Sequence, residues 1–345
     1  MNLGKRFLET IRIKFKKLRF LFVVLLFFLL SAGCSLTAWR TPETIQFPTL
    51  QVSLVIPSET PEDPTRIPSP TDETEPSGKI AFTCQLSGVR FLDHICIINA
   101  DGTGFKQLTS DDGAAHFYPS VAPDGRSVVY SANPTGVYEI YEVDLDGNIR
   151  QVTQGLGTLT SPEISPDGNS IAFTLGDGQT ASLWIIDRDG SHPRVLYGSG
   201  WDPTWSPDGE KILFASYDRY NSIQLFTIDL DGSNLKQVTQ MENLRGRSDW
   251  SPDGNWAVTY AGEPWARDLF YFPFEGGEPA QLTPSGGNSQ GPSISPDGRW
   301  VAFTAYFGDR GNEDGCEIYI IRTDGTQLTR LTDNDYCDWQ PRWGP

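Results

Sequence analysis

The 345 residues carry a formal net charge of −17 and only three histidines, His94, His116 and His192. An acidic surface repels phosphate backbones, which excludes nucleic acid as a partner, and so few imidazoles leave little for histidine-based catalysis or His-rich metal sites. Hydrophobic residues at 38%, aromatics at 12%, 34 Gly and 25 Pro suit a core built from many short strands joined by tight turns.

The charge is unevenly spread. Lys5, Arg6, Arg12, Lys14, Lys16, Lys17 and Arg19 stand against one acid, Glu9, at the N-terminus. An apolar run of eleven residues follows at 20–30, then Ser31-Ala32-Gly33-Cys34. A basic start, a short apolar stretch and small residues spell an export signal. The run is short of the roughly 20 residues that span a bilayer. Ser31-Ala32-Gly33-Cys34 resembles the lipobox of bacterial lipoproteins. That resemblance implies a signal peptide over 1–33 and lipidation of Cys34, with an uncleaved signal anchor as the alternative, because Ser31 stands where that motif usually has a branched aliphatic residue. Residues 34–78 are rich in Pro, Thr, Ser and Glu. Such a composition buries little area and reads as a disordered linker.

From residue 79 the sequence repeats. Ala122-Pro123-Asp124-Gly125, Ser165-Pro166-Asp167-Gly168, Ser206-Pro207-Asp208-Gly209, Ser251-Pro252-Asp253-Gly254 and Ser295-Pro296-Asp297-Gly298 are spaced by 43, 41, 45 and 44 residues. Pro presets φ, Asp bonds its own backbone and Gly supplies positive φ, so these Asp residues read as turn formers. Apolar runs follow each marker, as in Ile171-Ala172-Phe173 and Ile212-Leu213-Phe214. Asp-Gly turns and outer segments such as Gln151-Val152-Thr153 and Arg330-Leu331-Thr332 complete each unit. A four-stranded propeller blade needs about 40–45 residues. In the fifth repeat Ala257-Val258-Thr259 is a weak run and Glu275-Gly276 replaces Asp-Gly.

The array starts late, at Gly78-Lys79-Ile80-Ala81-Phe82, without an inner strand. It ends on Trp339-Gln340-Pro341-Arg342-Trp343, which matches Trp201-Asp202-Pro203-Thr204-Trp205. The tail therefore supplies the inner strand of the first blade. The expected fold over 79–345 is an all-β, six-bladed β-propeller closed by its C-terminal strand. The SPDG and DG…LT repeats resemble the TolB-like six-bladed propellers and the wider WD-like group. The resemblance covers residues 79–345 and implies a fold more than a function. The extra N-terminal domain of that family has no counterpart in the linker's composition, so the Tol–Pal role does not transfer directly.

Besides Cys34, four cysteines remain. An even number in an exported chain predicts two disulfides, Cys84–Cys96 within one hairpin and Cys316–Cys337 beside the closing strand. No C-x-x-C spacing supports zinc. The loop 309–315 concentrates oxygen ligands and reads as an acidic surface loop, with calcium left open. The repeats fill the chain from residue 79 onward, and no appended hydrolase-sized region points to a serine hydrolase.

The positions leading into the inner strands face the mouth of the central tunnel. They offer His116, Thr160, Ser161, Gln290 and Gln340 together with Phe117, Tyr118, Trp201, Asp202, Arg247, Asp338 and Trp339. Those last seven make a binding surface of aromatic anchors edged by charge, or else they pack the ring interior. They lack the acid–base pair or activated nucleophile that a reaction requires. The reading is a non-catalytic interaction module without cofactor or metal. It sits outside the cytoplasm, is tethered to a membrane by a lipid or signal anchor, and binds an envelope protein or glycan. The alternative is a sugar-acid lyase or hydrolase with its site in the tunnel.

Overall fold

The computed structural model describes residues 75–86, 92–110, 113–307 and 315–345. The export segment, Cys34, most of the 34–78 linker and nearly all of the acidic loop 309–315 lie outside the described residues.

Turn chemistry cuts the chain into strands. Ser206 Oγ donates to Asp208 Oδ1 at 2.6 Å, and that oxygen also accepts the Glu210 N–H at 3.0 Å. Gly209 follows at φ 72°. The Ser251–Asp253 and Ser295–Asp297 turns repeat the arrangement. These hydrogen bonds, the one from Ser206 foremost, hold the Asp208 carboxyl below its usual range. The outer strands are set by a second device. Thr109, Thr153, Thr239, Thr283 and Thr332 are buried, and each Oγ1 accepts the N–H of Ile95, Ile140, Leu225, Leu269 or Ile318 at 2.9–3.0 Å. The recurring Thr thus fixes where the short outer strand meets its neighbour.

The strands assemble into six four-stranded antiparallel sheets. The second to sixth blades are built in chain order. Their inner strands are His116–Val121, Leu159–Ile164, Trp201–Trp205, Asp249–Trp250 and Gln290–Ile294. The first blade takes its inner strand, Asp338–Gly344, from the C-terminus and adds Lys79–Gln85, Asp93–Asn99 and Lys106–Gln107. Ile80 lies opposite Trp343 on one side and Ile98 on the other. The six-bladed ring and its closing strand are as the repeats predict.

Each blade is too thin to hold a core alone, so apolar side chains meet between neighbouring blades. Six clusters run around the ring, one per blade interface. At the seam, Ile80, Phe82 and Ile98 of the first blade pack with Trp300, Ile318 and Ile320 of the sixth, and Trp343 of the closing strand completes the cluster. A Cβ on Gly344 would run into the Val121 side chain of the second blade, so the strand reaches this depth only with glycine there. The weak run Ala257-Val258-Thr259 lies within an eight-residue strand, Trp256–Glu263. Trp256 and Val258 pack on Val301 and Phe303 of the sixth blade, which offsets the poor local pattern.

Both disulfides form as paired in the sequence reading. Cys84–Cys96 staples the two middle strands of the first blade with Cα atoms 5.8 Å apart. Cys316–Cys337 joins the sixth blade to the start of the closing strand with Cα atoms 4.5 Å apart. Each restrains the segment where the ring is joined, a contribution of about 2–4 kcal/mol for a typical bridge.

Candidate functional site

The tunnel mouth is shaped by a repeated backbone irregularity. Tyr118, Ser161, Asp202, Gly291 and Gln340 each precede a proline and sit at positive φ, 56°, 51°, 52°, 61° and 56°. At the same points the inner strands slip register against their neighbours. Such bulges re-aim side chains, and a non-glycine residue held at positive φ costs about 1–3 kcal/mol. In the fifth blade Arg247-Ser248 replaces the x-Pro pair, and Gly246 takes the positive φ, 126°.

The outer layer of the tunnel forms a cavity of about 200 Å³ lined by Tyr118, Asp202, Arg247, Tyr260, Gln290, Gly291, Thr304, Trp339 and Gln340. Asp202 is fully engaged. Its Oδ1 accepts Ser161 Oγ–H at 2.7 Å and its Oδ2 accepts the Arg247 N–H at 3.2 Å. Gln340 Oε1 accepts the Tyr118 N–H at 2.9 Å and Thr83 Oγ1–H at 3.0 Å. The Arg247 guanidinium lies over the Tyr118 ring, 5.8 Å from its centroid. Burial pushes the phenols of Tyr118 and Tyr260 up to about 12, so both stay protonated. Burial, then the charge of Arg342, holds Arg247 below its usual value.

Two residues further along the inner strands lies a second layer: Ser120, Glu163, Thr204, Asp249, Ser293 and Arg342. Arg342 crosses the tunnel. Its Nη2 meets Glu163 Oε2 at 2.7 Å and its Nη1 meets Asp249 Oδ1 at 3.3 Å, tying the first blade to the third and fifth. Asp249 Oδ2 accepts Ser293 Oγ–H at 3.0 Å and the Ile294 N–H at 2.7 Å from the sixth blade. Asp249 Oδ1 accepts Thr204 Oγ1–H at 3.3 Å from the fourth. Burial works against the Arg342 charge, but Glu163 and Asp249 outweigh it and keep the guanidinium above its usual value.

The structure brings together Tyr118, Asp202, Arg247 and Trp339 of the residues singled out in the sequence. Phe117 leans on this group, its ring 6.3 Å from Trp339, 6.4 Å from Tyr118 and 6.0 Å from Tyr138. Trp201 packs at a tilt against Tyr217, ring centroids 5.1 Å apart, and contributes to the core between the fourth and fifth blades. Asp338 is buried away from the cavity wall. Its N–H donates to Cys316 O at 2.7 Å, its Oδ2 accepts Asn334 Nδ2–H at 2.8 Å, and burial lifts its carboxyl to about 7. His116, the enzymatic candidate, is buried between His94 and Tyr130 with Nδ1 2.9 Å from Asp93 O. Glu163, Asp249 and Arg342 escaped the sequence reading. Their signal was a polar column two residues after the pre-proline position, in strands otherwise reading as buried.

Chemically, the mouth offers a cation, an indole N–H and two phenols around a small cavity. The Ser161 hydroxyl is bonded to Asp202 with no imidazole among the residues that line the site. Among the described residues no three His, Cys, Asp or Glu side chains converge as a metal-binding group.

A six-bladed ring closed by its last strand, with a polar tunnel and SPDG turns, defines the class: a TolB-type β-propeller. The sequence profile of the TolB beta propeller domain (PD40) matches residues 147–345, and the chain belongs to that family. The Agrobacterium fabrum protein Atu1656 is 31% identical over 142 residues, covering 41% of this chain and 46% of that protein. The Tol-Pal system protein TolB of Alcanivorax borkumensis is 36% identical over 52 residues, 15% of this chain and 12% of that one. The matches thus span less than half of these relatives. Among solved structures, TolB from Acinetobacter baumannii superposes with a TM-score of 0.68 at 24% identity, over 79% of this chain and 68% of that one. Kuenenia stuttgartiensis hydrazine synthase gives 0.62 at 16% identity, over 77% and 46%. At these identities the likeness speaks for the fold alone.

Proposed function

We propose that the chain is a non-catalytic protein-binding module, held outside the cytoplasm on an N-terminal tether and engaging an envelope partner at the tunnel mouth. The observation that carries this is the aromatic and charged group of Tyr118, Trp339 and Arg247 lining a cavity of about 200 Å³, with Phe117 packed beside Trp339. That is smaller than the roughly 300–1,000 Å³ of pockets that enclose small molecules. It suits one inserted side chain, with the rest of the partner lying on the rim. Trp, Tyr and Arg are the residues that dominate interface energetics. The membership in the TolB propeller family and the two disulfides, which persist in oxidising compartments, support the reading.

Trp339→Ala is expected to weaken an envelope partner, captured from extracts and then titrated against the purified protein, by tenfold or more while leaving the melting temperature nearly unchanged. An equal fall in melting temperature would instead assign the rim to packing. A purified glycan that titrates against the mouth when no protein does would sink the protein reading. For the tether, the series ending at Cys34 motivates lipidation of that residue. Mass spectrometry of the mature N-terminus is expected to find diacylglycerol on Cys34; an intact residue 1 would show the signal retained as an anchor.

A further inference from the structure

The carboxylates of the tunnel are already committed. Asp202 is bonded to Ser161 and to the Arg247 backbone, and Glu163 and Asp249 face Arg342. The Arg247 side chain is only 8% exposed, yet it forms no ion pair among the described residues and its Nη1 has no hydrogen-bond partner there. Trp339 Nε1, on the same cavity, is also buried without an acceptor. Arg267 stands behind the wall, its Nη1 on Gln290 Oε1 at 2.5 Å, and adds positive charge. The Arg247 charge is met only by the Tyr118 ring, 5.8 Å away, and by Asp202 and Glu163 without a direct ion pair, and a buried donor left unmade forfeits its desolvation cost. Both side chains line one cavity, which leaves room there for an acceptor.

We infer that this cavity receives a single carboxylate, carried on a side chain of a partner polypeptide, between the Arg247 guanidinium and the Trp339 indole. The inference rests on the mouth being the binding surface and adds what the partner must present there. A carboxylate matches the planar fork of guanidinium donors and brings one negative charge to a cation that makes no direct ion pair among the described residues. A phosphate brings nearly two, beside Asp202, Glu163 and Asp249. The cavity volume of about 200 Å³ leaves room for a side-chain tip. The surrounding chain, strongly acidic overall at −17, disfavours a generally acidic partner. The partner is therefore neutral or basic around one acid.

The test follows the Trp339 indole N–H by heteronuclear NMR on the full chain in detergent, with the peak assigned by Trp339→Phe. The probes are capped Gly-Glu-Gly and Gly-Gln-Gly peptides, galacturonate and inorganic phosphate. The glutamate peptide is expected to shift the indole peak saturably and the glutamine peptide to leave it in place. Arg247→Met is expected to weaken the glutamate effect at least tenfold, and Arg247→Lys to restore part of it. Equal response to both peptides, or an undiminished response in Arg247→Met, overturns the proposal. Tighter binding of phosphate overturns the carboxylate, and tighter binding of galacturonate overturns the polypeptide source. The two levels separate cleanly. A partner lost in Trp339→Ala but retained at full affinity by folded Arg247→Met would keep the mouth as the binding surface and sink the carboxylate.

Discussion

A chain stopped after Cys337 is expected to lose the cooperative fold of the ring. Its missing segment, Asp338–Gly344, is the inner strand of the first blade. Without it Lys79–Gln85 becomes an unpaired edge facing the tunnel, an open template for aggregation. The seam cluster loses Trp343, which is 7% exposed and donates its Nε1–H to Ser77 O at 2.8 Å. Removal of a buried Trp side chain alone costs about 3–5 kcal/mol. The tunnel loses Arg342, leaving Glu163 and Asp249 without their cation, a further loss of about 3–5 kcal/mol. Together these rival the total stability of a domain, about 5–15 kcal/mol. Near-ultraviolet circular dichroism and size-exclusion chromatography of the truncated chain are expected to show lost tertiary packing and self-association. A sharp unfolding transition at the parent midpoint would mean that the seam closes by some other contact.

That expectation was legible in the sequence because the tail Trp339-Gln340-Pro341-Arg342-Trp343 repeats the start of the fourth blade. The fold as a whole was legible for the same reason. Turn residues act locally, so Ser206, Asp208 and Gly209 announce their hairpin without knowledge of the rest. The disulfide pairs followed from strand order, which places Cys84 near Cys96 and Cys316 near Cys337. The site was legible only in part. Residues at the mouth could be named, but which of them share a cavity depends on the bulge that turns Tyr118 and Asp202 inward and on how deep each strand sits. Asp338 is adjacent to Trp339 in sequence yet falls on the disulfide side of the strand, because successive strand residues face opposite ways. The Arg342 layer was missed because Arg342 and Glu163 are separated by 179 residues along the chain, and charge pairing across a ring has no local pattern.

Arg342→Ala should be the most damaging point change in the tunnel, lowering stability by about 3–5 kcal/mol through the two buried carboxylates it abandons. The loss should depend on pH in a definite direction. Burial pushes the Glu163 carboxyl up, and Arg342 is the main pull in the other direction. In the variant that pull is gone and Asp249 repels, so the folded protein holds on to protons that the unfolded chain releases near pH 4. A carboxyl raised in the folded state is fully tolerated below its unfolded value and increasingly destabilising as pH rises through its folded value. The deficit measured by urea unfolding is therefore expected to be smallest near pH 4–5 and to widen toward pH 8. A variant that combines Arg342→Met with Glu163→Gln and Asp249→Asn removes the charges together and retains most of the volume. It is expected to recover to within about 1–2 kcal/mol of the parent, since a buried ion network replaced as a unit is often close to neutral. If the combined variant is as unstable as Arg342→Ala, charge balance is not what the layer supplies. The hydrogen bonds from Thr204 and Ser293 to the Asp249 carboxylate, which Asn can only partly keep, would then be what ties the fourth and sixth blades to the fifth.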